Sequence, residues 1–419
     1  MFWLVETKDQ LKDFNSHQYQ EVYIEIIPSN IKEHPILNDI CCVYIRPLSS
    51  LKGFILPVTH SETQKLEYSE ILETIQEFQT LYVRDKKEFL HYIVHNNVID
   101  ISPNHSTLPE YTLTHRHFYN KYPHIENINS IVPIVKHYEY CEEIYNNLKD
   151  NISHPYNKFF NNKTSIVFNA LEQSGIKINN KLFTEHFYKE ENDLVYTQYN
   201  LKTLTSRPSN TFKGVNYTAL NKENKSRECF IPRNDRFIEI DISAYHPSIL
   251  AKLIDYDFKG ADIHQYFANL YKVDYKRAKE ITFQQLYGGV FDEYKNLEFF
   301  QKTQKYIDET WNTFNSQGFI ECPISKHIFD KTKLKDMNPS KLLNYILQAT
   351  ETDLNVLILW DIFKLLRSNN TKLVLYTYDS FTFDAVDEEE EVMLNIQDIF
   401  KKHKLNIKQV SGTNYNNLK

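Results

Sequence analysis

The chain has 419 residues, 41 % of them hydrophobic and 14 % aromatic, which is ample for buried cores and argues against disorder. Length alone suggests two or three domains. The formal net charge of −7 excludes a globally basic surface, so any polyanion binding has to come from local charge. Five cysteines with no CxxC pair argue against a disulfide framework and a zinc site and point to a reducing compartment. The opening residues MFWLVETKDQ lack a basic segment followed by an apolar run. No stretch approaches 18 apolar residues. We therefore expect neither secretion nor a membrane span, and a cytoplasmic protein.

Residues 1–124 read as an α/β domain. EVYIEII, ICCVYIRPL, GFILPVT, TLYVRD and VIDIS carry the β-branched and aromatic content of strands. YSEILETIQEF and KKEFLHYIV show apolar residues at helical spacing. Residues 125–195 read as mostly helical. A basic, turn-rich stretch follows, in which Lys202, Arg207, Lys213, Lys222, Lys225, Arg227, Arg233 and Arg236 outnumber Glu223, Glu228 and Asp235. That local excess could track a phosphate backbone, or form a solvated loop. Helices dominate 261–318 and 340–367, and KLVLYTYDSFTFDAV reads as strand–turn–strand.

Two carboxylates stand out. In FIEIDIS, Ile238, Ile240 and Ile242 alternate with Glu239, Asp241 and Ser243, so one strand face can pack while the other offers acids. In LVLYTYDSFTF a tight turn would push Asp379 to a hairpin tip, although Asp is also an ordinary turn residue. Paired, Asp241 and Asp379 suit two hard divalent ions about 4 Å apart, the arrangement used for phosphoryl and nucleotidyl transfer. Between them, Lys279, Phe283 and Tyr287 recur every four residues and end in Tyr287-Gly-Gly. A helix would align a cation, a ring and a phenol along one face.

This pattern resembles the fingers helix of family A DNA polymerases, which reads Lys, three residues, Phe or Tyr, three residues, Tyr-Gly. Other segments are similar to that family's motifs in the same order. They are Thr203-Leu-Thr-Ser-Arg207-Pro-Ser-Asn, Asp241-Ile-Ser-Ala-Tyr-His-Pro-Ser, Asp262-Ile-His264, Gln348-Ala-Thr-Glu-Thr-Asp and Tyr378-Asp379-Ser380. The match covers about 196–419. It implies a right-hand polymerase fold: palm at 196–260 and 346–419, fingers at 261–345, and a short helical thumb at 125–195. It also implies template-directed primer extension with dNTPs on DNA, with two Mg²⁺ ions for which Mn²⁺ could substitute.

Residue by residue, the resemblance assigns the metals to Asp241, Asp379 and the Ile242 carbonyl. Lys279 and His264 would meet the triphosphate, aided by Arg277. Phe283 and Tyr287 would meet the nucleotide and the templating base. Arg207, Thr203, Lys213 and Gln348 would contact DNA. The family's Glu that restricts the ribose 2′-hydroxyl is replaced by His246, beside Tyr245, and one of these two is expected to be the gate. The family's Arg four residues before the fingers Lys is Tyr275 here, and the Glu that often follows the second metal Asp is Ser380.

The strand order of 1–124 resembles the ribonuclease H-like 3′–5′ exonuclease domain that precedes such polymerases. Where Asp-x-Glu is expected, however, Glu25-Ile-Ile27 keeps one acid at most. Asp85, Asp100 and the His95-Asn96 segment align only loosely with the other motifs. A vestigial exonuclease domain without proofreading is expected. The short thumb implies low processivity unless a processivity factor or another replication protein assists, and the small size suggests a phage, viral or plasmid replication enzyme. The missing Glu keeps a single-subunit RNA polymerase or primase-like enzyme open as an alternative, and a catalytically inactive DNA-binding scaffold is the alternative outside enzymes.

Overall fold

The computed structural model describes residues 3–102, 132–153, 158–212 and 215–418, and forms two compact units. The first comprises residues 1–173 with 211–215, and the second residues 174–210 with 216–419. Lys213 lies outside the described residues.

The first unit is built on a six-stranded mixed sheet in the order β1-β4-β3-β2-β5-β6. Its strands are β1 (Trp3–Leu4), β2 (Glu21–Pro28), β3 (Ile40–Pro47), β4 (Phe54–Pro57), β5 (Thr80–Val83) and β6 (Val98–Asp100). β2, β3 and β4 are antiparallel neighbours, whereas β5 and β6 run parallel to β2. The period of two along β2 explains the layering. Val22, Ile24 and Ile26 pack with Leu11, Phe14, Ile71, Ile75 and Phe89 on one face. Tyr23 and Ile27 lie on the other, with Tyr140, Cys141, Ile144 and Leu148 of the helix Ile134–Leu148. That helix therefore covers the first unit's sheet, and the first unit extends beyond residue 124. All five cysteines are free and buried.

Glu25 breaks the apolar run of β2 and is 4 % exposed. Arg84 Nε donates to it at 2.9 Å and Tyr23 Oη at 2.5 Å. Asp85 caps the helix Lys86–Tyr92 by accepting from Glu88 N at 3.0 Å. Asp100 accepts from Lys86 N and from Ser102. The three acids that sequence placed near exonuclease motifs thus serve local structure. Among the described residues, no group of three or more carboxylates forms a candidate metal cluster.

The second unit centres on a four-stranded antiparallel sheet. Its order is Lys372–Thr377, Ser380–Ala385, Arg236–Ile242, Ile407–Gly412. The last strand was not expected from sequence. A buried 28-residue helix, Pro339–Leu366, contacts the helices Tyr245–Leu253, Tyr275–Gly288 and Glu298–Gln317. Among the described residues, no helix is long and apolar enough to cross a membrane.

Replacing Arg84 with Met leaves the Glu25 carboxylate buried without its cation. We expect the first unit to lose about 3 kcal/mol of stability, as a lower urea midpoint, because breaking a buried pair strands a charge. An unchanged midpoint would contradict this reading.

Candidate active site

The strand Arg236–Ile242 keeps the alternation read from sequence: Ile238, Ile240 and Ile242 are buried, whereas Glu239 and Asp241 are partly open. Asp241 sits opposite Ser380 on one neighbour and Lys408 on the other. Thr377 and Ser380 pair across a two-residue turn, so Tyr378 and Asp379 form the hairpin tip. Ile242 N donates to Asp379 O at 2.8 Å, which pins that tip to the end of the Asp241 strand.

Both acids are followed or preceded by a non-glycine residue in the left-handed region. Ala244 has φ +49° at the start of the helix Tyr245–Leu253, and Tyr378 has φ +64°. Such conformations cost energy and persist only where surrounding structure enforces them. Here Asn355 Nδ2 donates to Tyr378 O and to Tyr376 Oη, both at 2.8 Å. The Arg207 guanidinium lies 3.8 Å from the centre of the Tyr378 ring. Tyr245 Oη donates to Asn355 Oδ1 at 2.8 Å, fixing the amide in turn.

Burial pushes the Asp241 carboxyl up to about 6, with the charges of Asp379 and Glu239 adding to it and Lys279 and Lys408 opposing. The Asp379 carboxyl is accessible at the tip. Crowding by protein raises its pKa too, followed by the charge of Glu351. Two hard carboxylates that resist ionising together form a site short of positive charge, which fits divalent cations better than a structural ion pair.

The helix Tyr275–Gly288 aligns Lys279, Phe283 and Tyr287 as the four-residue spacing requires. The Lys279 ammonium lies 5.8 Å from the Phe283 ring centre, and the Phe283 and Tyr287 rings stack 5.8 Å apart at 8°. Gly289 closes this helix at φ +101°, a conformation open to glycine. His264 is 4 % exposed and packs 5.5 Å from Tyr275 and 6.1 Å from Phe283. Its pKa is lowered by burial and then by Lys279. Its Nδ1 is buried and finds no partner among the described residues. Arg277 is exposed and pairs with Glu280 at 2.9 Å on its own helix.

The long helix contributes polar side chains on one stripe: Gln348, Glu351, Thr352 and Asn355 at i, i+3, i+4 and i+7. Gln348 Oε1 accepts from Thr205 Oγ1 at 3.1 Å. Glu351 is 1 % exposed, bonds His246 Nε2 and accepts from Arg207 at 3.1 Å. His246 Nδ1 meets Tyr287 Oη at 2.7 Å. Sequence reasoning missed Glu351, Asn355 and Lys408. The first two carried a readable signal, since polar residues at helical spacing inside an otherwise apolar helix ask for partners.

Other expected residues have different surroundings. Tyr245 is 5 % exposed with its hydroxyl committed to Asn355, so it faces inward and only His246 of the pair reaches the helix Tyr275–Gly288. Thr203 Oγ1 donates to Arg207 O at 2.8 Å and shapes the turn. The basic stretch is less free than its charge suggests, because all four of its arginines have protein partners. Arg207 pairs with Glu351, Arg227 with Leu220 O, Arg233 with Asp384 and Arg236 with Asp387.

No protein-family model and no curated protein matches the sequence. The fold itself is that of a DNA polymerase domain. The chain is similar to the POL domain of Pol1 from M. smegmatis, solved in complex with DNA primer-template and dNTP, with a TM-score of 0.72 over 99 % of both chains and 10 % identity.

With divalent ions absent, burial of the Asp241 carboxylate, and then its repulsion by Asp379 and Glu239, costs the wild-type protein stability. The folded carboxyl titrates near 6 and the unfolded one near 3.8, so the cost is absent below about pH 4, grows through the window, and is complete above about pH 6. Asp241→Asn should therefore stabilise the protein at pH 8, by about 1 kcal/mol after allowing for solvent screening, and give no gain at pH 4. Thermal melts of both proteins in EDTA across this range test it.

Proposed function

We propose that this chain is a template-directed DNA polymerase of the family A type, extending a primer 3′ end with dNTPs by two-metal-ion nucleotidyl transfer. The carrying observation is the pinning of the hairpin tip that bears Asp379 to the end of the strand that bears Asp241, each acid with raised proton affinity, within a fold shared with a polymerase domain. On this reading the sheet and long helix are palm, and the helices around Lys279 are fingers. Asp241, Asp379 and the Ile242 carbonyl would hold two magnesium ions, or manganese in their place. Such ions would lower the cost of the primer 3′-oxyanion and offset charge on the departing pyrophosphate.

The chain's own residues do the rest. Lys279, exposed on its helix, meets the triphosphate and offers charge to the leaving group. The unpartnered Nδ1 of His264 has an edge to offer a phosphate oxygen, and Arg277 adds positive charge at the helix start. Phe283 supports the nucleotide, and Tyr287 stands where a templating base enters. Arg207 and Gln348 lie against the site's long helix, where they would read minor-groove acceptors common to all correct pairs. Lys213 and the lysines near it would contact the DNA backbone. We assign the ribose gate to His246, because Tyr245 is turned into the interior.

The first unit's strand order supports a ribonuclease H-like, exonuclease-type domain. Its acids Glu25, Asp85 and Asp100 are engaged in local structure, which favours the absence of proofreading. A cytoplasmic role in phage, viral or plasmid DNA replication, with a processivity factor or another replication protein as partner, completes the proposal.

Primer extension on a labelled primer–template with Mg²⁺, dNTPs and rNTPs tests it. Wild type should add template-complementary dNTPs, and Asp379→Ala should not. Extension with rNTPs alone would move the assignment to an RNA polymerase. Tight primer–template binding with no extension would leave an inactive scaffold. Asn355→Ala, which frees the turn carrying Asp379, should lower kcat by about tenfold or more while leaving the dNTP KM nearly constant, since misplacement by a fraction of an ångström is felt in the transition state.

A further inference from the structure

A buried carboxylate in the middle of an apolar helix needs a reason. Glu351 is 1 % exposed, lies on the buried helix Pro339–Leu366 and adds negative charge beside Asp379. A buried ion pair is poor ground for stability, since an apolar replacement often does as well. Holding a third acid near two metal-binding acids adds to the repulsion already there. Its contacts suggest what this arrangement does. One oxygen accepts from Arg207 Nη2 at 3.1 Å, and the other bonds His246 Nε2. His246 then meets Tyr287 Oη through Nδ1 at 2.7 Å.

This network assigns the tautomer. With Nε2–H donating to Glu351, Nδ1 is left as an acceptor for the Tyr287 hydroxyl proton, and both ring nitrogens of His246 are satisfied. The imidazole is therefore held from both ends, with its ring at 78° to that of Tyr287. The line continues from Arg207 to the hairpin tip, because the guanidinium stacks on Tyr378, the residue before Asp379.

We propose that Glu351 is the positioning residue that sets sugar selectivity. It fixes His246 and Tyr287 as a rigid wall at the nucleotide ribose, and it couples that wall to Arg207, the residue placed to sense the primer-terminal pair. The inference rests on the polymerase reading and deepens it. A wall of fixed position excludes a 2′-hydroxyl by contact, whereas a loose imidazole can swing aside or accept a hydrogen bond from it. Because Glu351 is shared, a mispaired terminus that displaces Arg207 also loosens the wall.

The test compares kcat/KM for a dNTP and the matching rNTP, on paired and mispaired primer termini, for wild type, Glu351→Gln and Glu351→Asp. Glu351→Gln keeps the shape but loses the charged acceptor, and should lower the dNTP-to-rNTP preference by about tenfold or more. Its remaining preference should be the same on both termini, whereas wild type should discriminate less on the mispaired one. Glu351→Asp, which retains an acceptor, should recover part of the preference, and a purely structural role would not produce that recovery. If Glu351→Gln does not fold, Glu351→Asp carries the test: a shorter acid that shifts the wall should lower the preference part-way, and a preference equal to that of wild type on both termini would overturn the inference. A preference within about twofold of wild type in a folded variant, with the terminus dependence intact, overturns the inference while leaving the polymerase reading standing. Wild type that extends no primer with either nucleotide overturns both.

Discussion

The second unit depends on one backbone hydrogen bond, from Ile242 N–H to Asp379 O at 2.8 Å. It joins two chain segments that are remote in sequence, and it does so at the residues whose carboxylates repel. The strand register of Asp241 opposite Ser380 brings the partners close, and the bond fixes the turn. Folding gains nothing electrostatic here: burial raises the proton affinity of both acids, the charge of Asp379 adds to it at Asp241, and that of Glu351 adds to it at Asp379. The sheet supplies the compensation, through the buried Phe237, Ile238, Ile240, Phe381 and Phe383. Stability is thus spent to hold a cation-deficient centre, a compromise expected where chemistry and not folding sets the arrangement.

Around this centre, the long helix acts as a template for polar order. Asn355 holds the turn carbonyl ahead of Asp379, Glu351 holds His246 and Arg207, and Gln348 meets Thr205. These side chains share one helical stripe, so the geometry of the Tyr378 turn, the Thr205–Arg207 segment and the start of the helix Tyr245–Leu253 is referred to a single rigid element. A site built on such an element is placed more accurately than one carried by loops alone. The left-handed Ala244 and Tyr378 show where the backbone is strained to meet it.

Much of this was legible in the residues. The alternation of Ile238, Ile240 and Ile242 with Glu239 and Asp241 gave the correct face, because a half-buried strand has a period of two. The four-residue spacing of Lys279, Phe283 and Tyr287 gave a helical row. The strand Ile407–Gly412 escaped because it lies at a sheet edge and is mostly polar, so Lys408, Gln409 and Ser411 hide its pattern. His246 and Tyr245 could not be separated by sequence, but neighbours on a helix point about 100° apart and only one can face the Tyr287 helix. Glu351 went unread because its partners, His246 and Arg207, are remote in the chain. The excess of basic residues before Arg236 overstated free charge, because pairing with Glu351, Asp384 and Asp387 is a tertiary property.

The central claim is that Asp241 and Asp379 together form one metal-binding centre. The most direct measurement is a crystal structure of the protein with a dideoxy-terminated primer–template, a complementary dNTP and Mg²⁺. The account predicts two ions about 4 Å apart, each touching oxygens of Asp241 and Asp379. Ions coordinated elsewhere, or a bound dNTP with no ion at these two carboxylates, would contradict it.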